Sequence, residues 1–320
     1  MIEESNPATP LPHGPGPDGC VDGRLTHDDY QRILSEVGVR RVCVSLIPGR
    51  CGSTLLGQLV AQWGCCGTGT EAFHERQEAQ WRRFVTNDGF YFASVVRREA
   101  LGGIFWLQST PLRHDYLLTM VAPTIPSTWR YSAILRRDVV AQAMSYVFAI
   151  GSGVWHSSSR RYDPSTPIGL KEDLDLLAER VVHWIVELVA IEERIRQILD
   201  ARIDGPPLVL FYEDIVRDPQ EAMLRFCRDA GSMPPVDAPP ARQTLSRLKK
   251  RGDEQLRERL MARHGDSVSR LIDARAESTL AWAEELGRLA ERRDAAAGSP
   301  ASPHAGSPTT TVVADPEAQK

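Results

Sequence analysis

The sequence predicts an α/β protein: a parallel sheet flanked by helices, with a helical C-terminal part. Three observations carry this reading. Short β-rich runs alternate with helical stretches along the chain, the pattern of strands joined by helical crossovers. The first run passes through a glycine-containing turn directly into an amphipathic helix. The segment after Ala241 is helical and charged throughout.

Taken in order, residues 1–24 are rich in Pro and Gly and are expected to be disordered, as is a tail over 293–320 with Ser-Pro and Thr repeats. The folded part is expected over 25–292. Arg41–Ile47 reads as a buried strand and Ser53–Trp63 as a helix whose Leu55, Leu56, Leu59, Val60 and Trp63 form one apolar stripe. Gly103–Leu107 and Tyr131–Leu135 are further strands. Asp138–Ile150 is a helix with Asp138 as its N-cap. Pro207–Tyr212 is a strand and Asp218–Ala230 a helix.

Lys171–Asp200 is a long helix with Leu174, Leu177, Val181, Trp184, Leu188, Ile191, Ile195 and Ile198 at alternating spacings of three and four. That spacing admits a core helix lying across the sheet, or a subunit contact that would make a homodimer.

Thirty-eight basic against 42 acidic residues leave a net charge of −4. No overall field draws nucleic acid or an anionic membrane to the chain. No membrane-spanning apolar run occurs, and the first residues lack a basic and apolar leader pattern, so a cytoplasmic protein without a membrane span is expected. The six cysteines have no CxxC spacing, which argues against zinc and a disulfide framework.

The stretch VCVSLIPGRCGSTLLGQLVAQW from Val42 to Trp63 has the form of a phosphate-binding loop. Amides at a helix N-terminus and the helix dipole favour an anion there. Gly49 and Gly52 let the backbone approach it, and Ser53 and Thr54 add hydroxyl donors. A nucleotide-hydrolysing loop would carry Lys after its last glycine; here that position is Ser53, and the only cation in the loop is Arg50. ATP chemistry is disfavoured on this ground. A second element, YSAILRRDVVAQAMSY from Tyr131 to Tyr146, ends a strand at Arg136 and Arg137 and opens a helix. Asp138 and Ser145 lie two turns apart on one face of it. Arg137 on the preceding turn can fold over that face, and a guanidinium with a hydroxyl suits a phosphate.

Together with FYEDIVRDP at 211–219, these segments resemble the 3′-phosphoadenylyl-sulfate (PAPS)-dependent sulfotransferases, most of all the bacterial trehalose 2-sulfotransferase-like group. The resemblance spans about 40–260. It implies a P-loop-like fold that uses PAPS as co-substrate and no metal. It implies that Arg50, Cys51, Gly52, Ser53 and Thr54 bind the 5′-phosphosulfate, and that Arg137 and Ser145 bind the 3′-phosphate. Tyr212 would lie near the adenine, and Arg251, in a late basic–Gly element, would touch the 3′-phosphate. Arg50 would fill the role of the lysine found in many relatives.

The same resemblance makes Glu71, in GTGTEAFHE, the base that takes the acceptor's proton, with His74 and His156 as alternates. Thr68 and His156 would line the acceptor site. Thr68 replaces a sugar-contacting carboxylate of the relatives, which turns the expectation from trehalose to another small-molecule acceptor alcohol. A P-loop small-molecule kinase and a non-catalytic nucleotide-binding protein are the competing readings.

Overall fold

The computed structural model describes residues 25–67, 69, 71–73, 88–121, 128–155, 163, 173–201, 206–234, 250 and 252–298. Four strands, β1 (Arg41–Leu46), β2 (Ile104–Ser109), β3 (Arg130–Leu135) and β4 (Leu208–Phe211), form one sheet in the order β2-β1-β3-β4. All three pairings are parallel. The helices are α1 (His27–Val37), α2 (Ser53–Trp63), α3 (Asp88–Glu99), α4 (Pro111–Met120), α5 (Val139–Ser152) and α6 (Leu174–Asp200). After β4 come α7 (Tyr212–Arg217), α8 (Pro219–Ala230), α9 (Asp253–Arg275), a π-helical turn (Ala276–Leu280) and α10 (Ala281–Gly298).

The strands alternate strictly. Val42, Val44, Leu46, Phe105, Leu107, Leu135 and Val209 point into one buried cluster with α1, α3, α4 and the end of α6. Cys43, Ile104, Trp106, Ile134, Leu208 and Leu210 point the other way, against α2 and α8. A sheet covered on both faces explains why its strands read as continuous apolar runs. Its buried polar atoms are paired: the Ser45 and Ser132 hydroxyls lie 2.7 Å apart, and the Trp106 indole N–H donates to Ser45 at 2.8 Å.

The chain leaves β1 to build β2 on one side of it and β3 on the other. That reversal opens a crevice at the carboxyl end of β1, the place where open parallel sheets bind ligands. The loop 47–52, the end of β3 and the end of β4 all arrive there.

The α2 bounds coincide with those expected. Asp138 caps α5 through the Ala141 amide at 2.8 Å, and Asp173 and Asp218 cap α6 and α8 in the same way. The seam of α6 is internal. Leu177, Val181 and Leu188 pack with α5 and α9, while Ile195 and Ile198 join the sheet core, which is the core-helix reading.

The elements differ from the expected ones in three places. Tyr212 opens α7 instead of closing a strand. Helix α10 runs to Gly298, past the position 292 at which the folded part was expected to end. Helices α1, α3 and α4 were not foreseen. Of these, α4 carries a start signal in Thr110-Pro111, where the Thr110 hydroxyl accepts from the Arg113 amide at 3.4 Å. None of the described helices is long and apolar enough to cross a membrane.

Leu188 is 0% exposed and Leu174, at the start of the same seam, 38%. Leu188→Ala is expected to lower stability by about 2–5 kcal/mol in denaturant unfolding, and Leu174→Ala by about 0.5 kcal/mol at most. Equal small losses would place the seam outside the core.

Candidate active site

Glycines 49 and 52 have φ of 81° and 91°, and Arg50 between them has φ of 51°. Among the described residues Arg50 is the sole non-glycine in this left-handed region. The resulting turn is held by one face of α5. Gln142, Ser145 and Tyr146, at i, i+3 and i+4, all point at it. The Gln142 amide donates to the Gly49 carbonyl at 2.7 Å and the Tyr146 hydroxyl to the Pro48 carbonyl at 2.8 Å. Ser145 Oγ accepts from Arg50 Nε at 3.0 Å and from a terminal nitrogen of the same guanidinium at 2.9 Å. The other terminal nitrogen donates to the Trp155 carbonyl.

The fit leaves no room for a side chain at the glycines. A Cβ at Gly49 would stand 1.8 Å from the Tyr146 hydroxyl oxygen, and one at Gly52 would stand 2.5 Å from Tyr212 Cδ2. Tyr146 is itself stacked on Trp184, centroids 4.4 Å apart and planes at 4°. The loop is thus clamped between two tyrosines, one from α5 and one from the start of α7.

Helix α2 begins at this turn with no side-chain cap, so its positive end faces the crevice. Cys51 is buried beneath the loop. Burial above all, with the charge of Glu71 adding to it, pushes its thiol up to about 12. Burial likewise pulls Arg50 below the ordinary arginine value, and the like charge of Arg136 contributes. Both effects mark a site with little water.

The two arginines at the end of β3 diverge. Arg137 was expected over the Ser145 face, but both of its terminal nitrogens are taken by Asp214, at 3.0 and 2.9 Å. Its guanidinium lies 4.0 Å from the Phe211 ring centroid. The pair is self-consistent: Asp214 first of all raises the Arg137 pKa, and against the upward pull of burial Arg137 keeps Asp214 below its ordinary value. Arg136 goes the opposite way, as strand alternation requires. Leu135 pairs with Phe211 across the sheet, so Arg136 and Tyr212 leave it side by side, the guanidinium 4.9 Å from the ring centroid. Its Nε is buried without a hydrogen bond and lies 3.9 Å from Glu213. Sequence reasoning passed over Arg136, although period-two alternation past Leu135 was a signal for it.

Glu71 is half-buried and lines a small cleft with Phe73, Gln108, Ser109, Thr110 and Arg113, at the carboxyl end of β2. Its short turn is anchored. The Tyr91 hydroxyl donates to the Ala72 carbonyl, and the Phe73 ring meets Tyr91 edge-on at 5.4 Å. Gln108 ties the cleft to the loop helix by donating to the Ser53 carbonyl at 3.0 Å. Burial foremost, with Cys51 and Glu71 beside it, pushes the Tyr146 hydroxyl above its ordinary range, so the Glu71 charge is felt at the loop.

The structure therefore gathers Arg50, Cys51, Gly52, Ser53, Ser145 and Tyr212 about one crevice, with Thr54 in the first turn of α2 and Glu71 on the adjoining cleft. Thr68, His74, His156 and Arg251 lie outside the described residues. The five described cysteines are buried free thiols. Among the described residues no group of three His, Cys, Asp or Glu side chains is arranged as a metal site.

An uncapped helix start under a bent, arginine-bearing loop, at the switch point of a parallel sheet, makes a crevice suited to an anionic group. Residues 119–263 match the family described as Stf0 sulphotransferase, and the enzyme class is sulfotransferase. The match takes in β3, α5, α6, β4, α7, α8 and the start of α9, with Arg136, Ser145 and Tyr212 among them. Among solved structures the chain is similar to the sulfotransferase domain from the Synechococcus PCC 7002 olefin synthase. The identity is 13% and the TM-score 0.40, over 60% of this chain and 74% of that one. No curated protein matches the chain at a significant level.

Gly52 and Gly64 provide a controlled pair for the clamp. Both have positive φ, but a Cβ at Gly64 meets nothing within 4 Å. Each Ala substitution carries the backbone strain of about 1–2 kcal/mol. Gly52→Ala is expected to lose roughly 1–3 kcal/mol more in denaturant unfolding because it displaces the Tyr212 ring. The excess should disappear in the Tyr212→Ala background. Equal losses for the two glycines would contradict the clamp.

Proposed function

We propose that this sulfotransferase moves the sulfuryl group of 3′-phosphoadenylyl sulfate to a hydroxyl of a small polar metabolite. The observation that carries the reading is the convergence of the uncapped α2 start, Arg50 and the Ser145 face of α5 on one loop. In this reading residues 50–54 hold the phosphosulfate. Ser145 and Arg136 hold the 3′-phosphate, and Tyr212 lies against the adenine. Arg137 then serves as an anchor, through Asp214. Support for Arg136 comes from its Nε, buried without a hydrogen bond, and from its place over the Tyr212 ring.

The chemistry follows from these roles. The Glu71 carboxylate takes the proton of the acceptor hydroxyl as its oxygen bonds to sulfur. The bond from sulfur to the bridging phosphate oxygen breaks, and adenosine 3′,5′-bisphosphate leaves with the electron pair. Negative charge grows on that one bridging oxygen. The loop amides and Arg50 are fixed beforehand where this charge appears, which is how such donors lower a barrier. The transferred sulfuryl group is less charged than a γ-phosphoryl group, and the positive charge of the loop itself suits it.

Two measurements test the reading. Glu71→Gln keeps size and polarity but removes the base, so turnover should fall by roughly 10²–10⁴ with little change in donor affinity. Turnover within about threefold of wild type would move the role to another group. The transfer rate should also be unchanged by EDTA, and an absolute Mg²⁺ requirement would favour a kinase instead.

A further inference from the structure

Arg275 is the last residue of α9 and lies beyond the residues matched by the family. Its side chain is 1% exposed and that of its partner, Glu192 of α6, 0%. Arg275 Nε donates to one Glu192 carboxylate oxygen at 2.6 Å, and a terminal nitrogen donates to the other at 2.9 Å. The remaining donors do not go to a side chain. One terminal nitrogen donates to the Arg137 carbonyl at 2.9 Å and the other to the Arg136 carbonyl at 2.5 Å.

A buried ion pair is a poor source of stability, because removing two charges from water costs about what their attraction returns. Burial pushes the Glu192 carboxyl above its ordinary value, with Arg275 only partly offsetting it. A reason other than stability is needed, and the two carbonyls supply one. They belong to the turn that carries the Arg136 side chain into the crevice. The opposite edge of that turn is held as well. The Arg137 amide donates to one Glu213 carboxylate oxygen at 3.0 Å, and the Asp138 amide to the other at 3.3 Å. With its carbonyls on Arg275 and its amides on Glu213, the turn has one orientation for its peptide planes. Arg275 does this at the start of a π-helical turn, a local irregularity that often accompanies functional positions.

We infer that the buried Arg275–Glu192 pair is a positioning pair for donor recognition: it fixes the peptide planes at residues 136–138 and so aims Arg136 at the 3′-phosphate. The inference rests on the donor reading above. A planar guanidinium is required, because only it can meet a carboxylate and two carbonyls at once; a lysine ammonium cannot hold that fork.

The test uses the full chain and two variants. Arg275→Lys keeps the charge but loses the fork. The double variant Arg275→Met with Glu192→Met removes both charges at similar volume, a replacement that buried pairs commonly tolerate. Binding of adenosine 3′,5′-bisphosphate and of adenosine 5′-monophosphate is measured by calorimetry on each protein, beside its unfolding midpoint. Wild type should prefer the bisphosphate. Both variants should lose about tenfold or more of that preference, the worth of a charge-assisted contact, with the monophosphate changed less than about threefold. A double variant that stays folded and keeps the wild-type preference overturns the inference while leaving the donor reading intact. Parallel weakening of both nucleotides also overturns it, since that is the signature of a structural role alone. Absence of any preference in wild type overturns the donor reading, and the inference with it.

Discussion

Arg50 stands in a backbone conformation that ordinarily belongs to glycine, and the candidate site is organised around keeping it there. Its φ of 51° costs about 1–2 kcal/mol relative to a relaxed residue. Strain of this kind persists only where the surroundings over-determine the geometry. Here they do: Ser145, Trp155 and the two tyrosines fix the side chain and the turn from four directions. Relaxing Arg50 would turn its guanidinium away from the α2 start, and the crevice would lose its one cation within the loop.

The same economy appears around the sheet end. Strand alternation sends Arg136 to the loop face and Arg137 to the face of Phe211. A single carboxylate neighbourhood, Glu213 and Asp214, then holds both the amides and the Arg137 side chain. Helices α6 and α9 complete the support from below through Glu192 and Arg275. These two helices thus reach the turn that ends β3 through its carbonyls.

Much of this was legible in the sequence because it depends on local signals. The strand–glycine–helix pattern of 42–63 fixed α2 to the residue, and Asp138 announced its helix as an N-cap. The long α6 helix was evident from its spacing, but which partner its seam faced was not: core and dimer seams have the same period. Helix α3 was hidden because Tyr91, Phe92, Ala93, Val95 and Val96 are all buried, which leaves Ser94, Arg97 and Arg98 as a narrow polar strip. Arg50, Ser145 and Tyr212 could be picked out by resemblance. The division of labour between Arg136 and Arg137 required knowing which face of β3 the crevice lies on. Arg275 carried no signal at all, since its role is set by carbonyls 138 and 139 residues away in the chain.

The central claim is that the crevice passes on a sulfuryl group and not a phosphoryl group. The direct measurement incubates the wild-type protein with an extract of small polar metabolites in two parallel reactions. One contains 3′-phosphoadenylyl sulfate labelled with ³⁵S, the other ATP labelled with ³²P at its γ-phosphate, and labelled products are identified by mass. The account predicts ³⁵S in a sulfate ester, with one adenosine 3′,5′-bisphosphate released per ester formed, and no protein-dependent ³²P product. Transfer of ³²P without transfer of ³⁵S would contradict it.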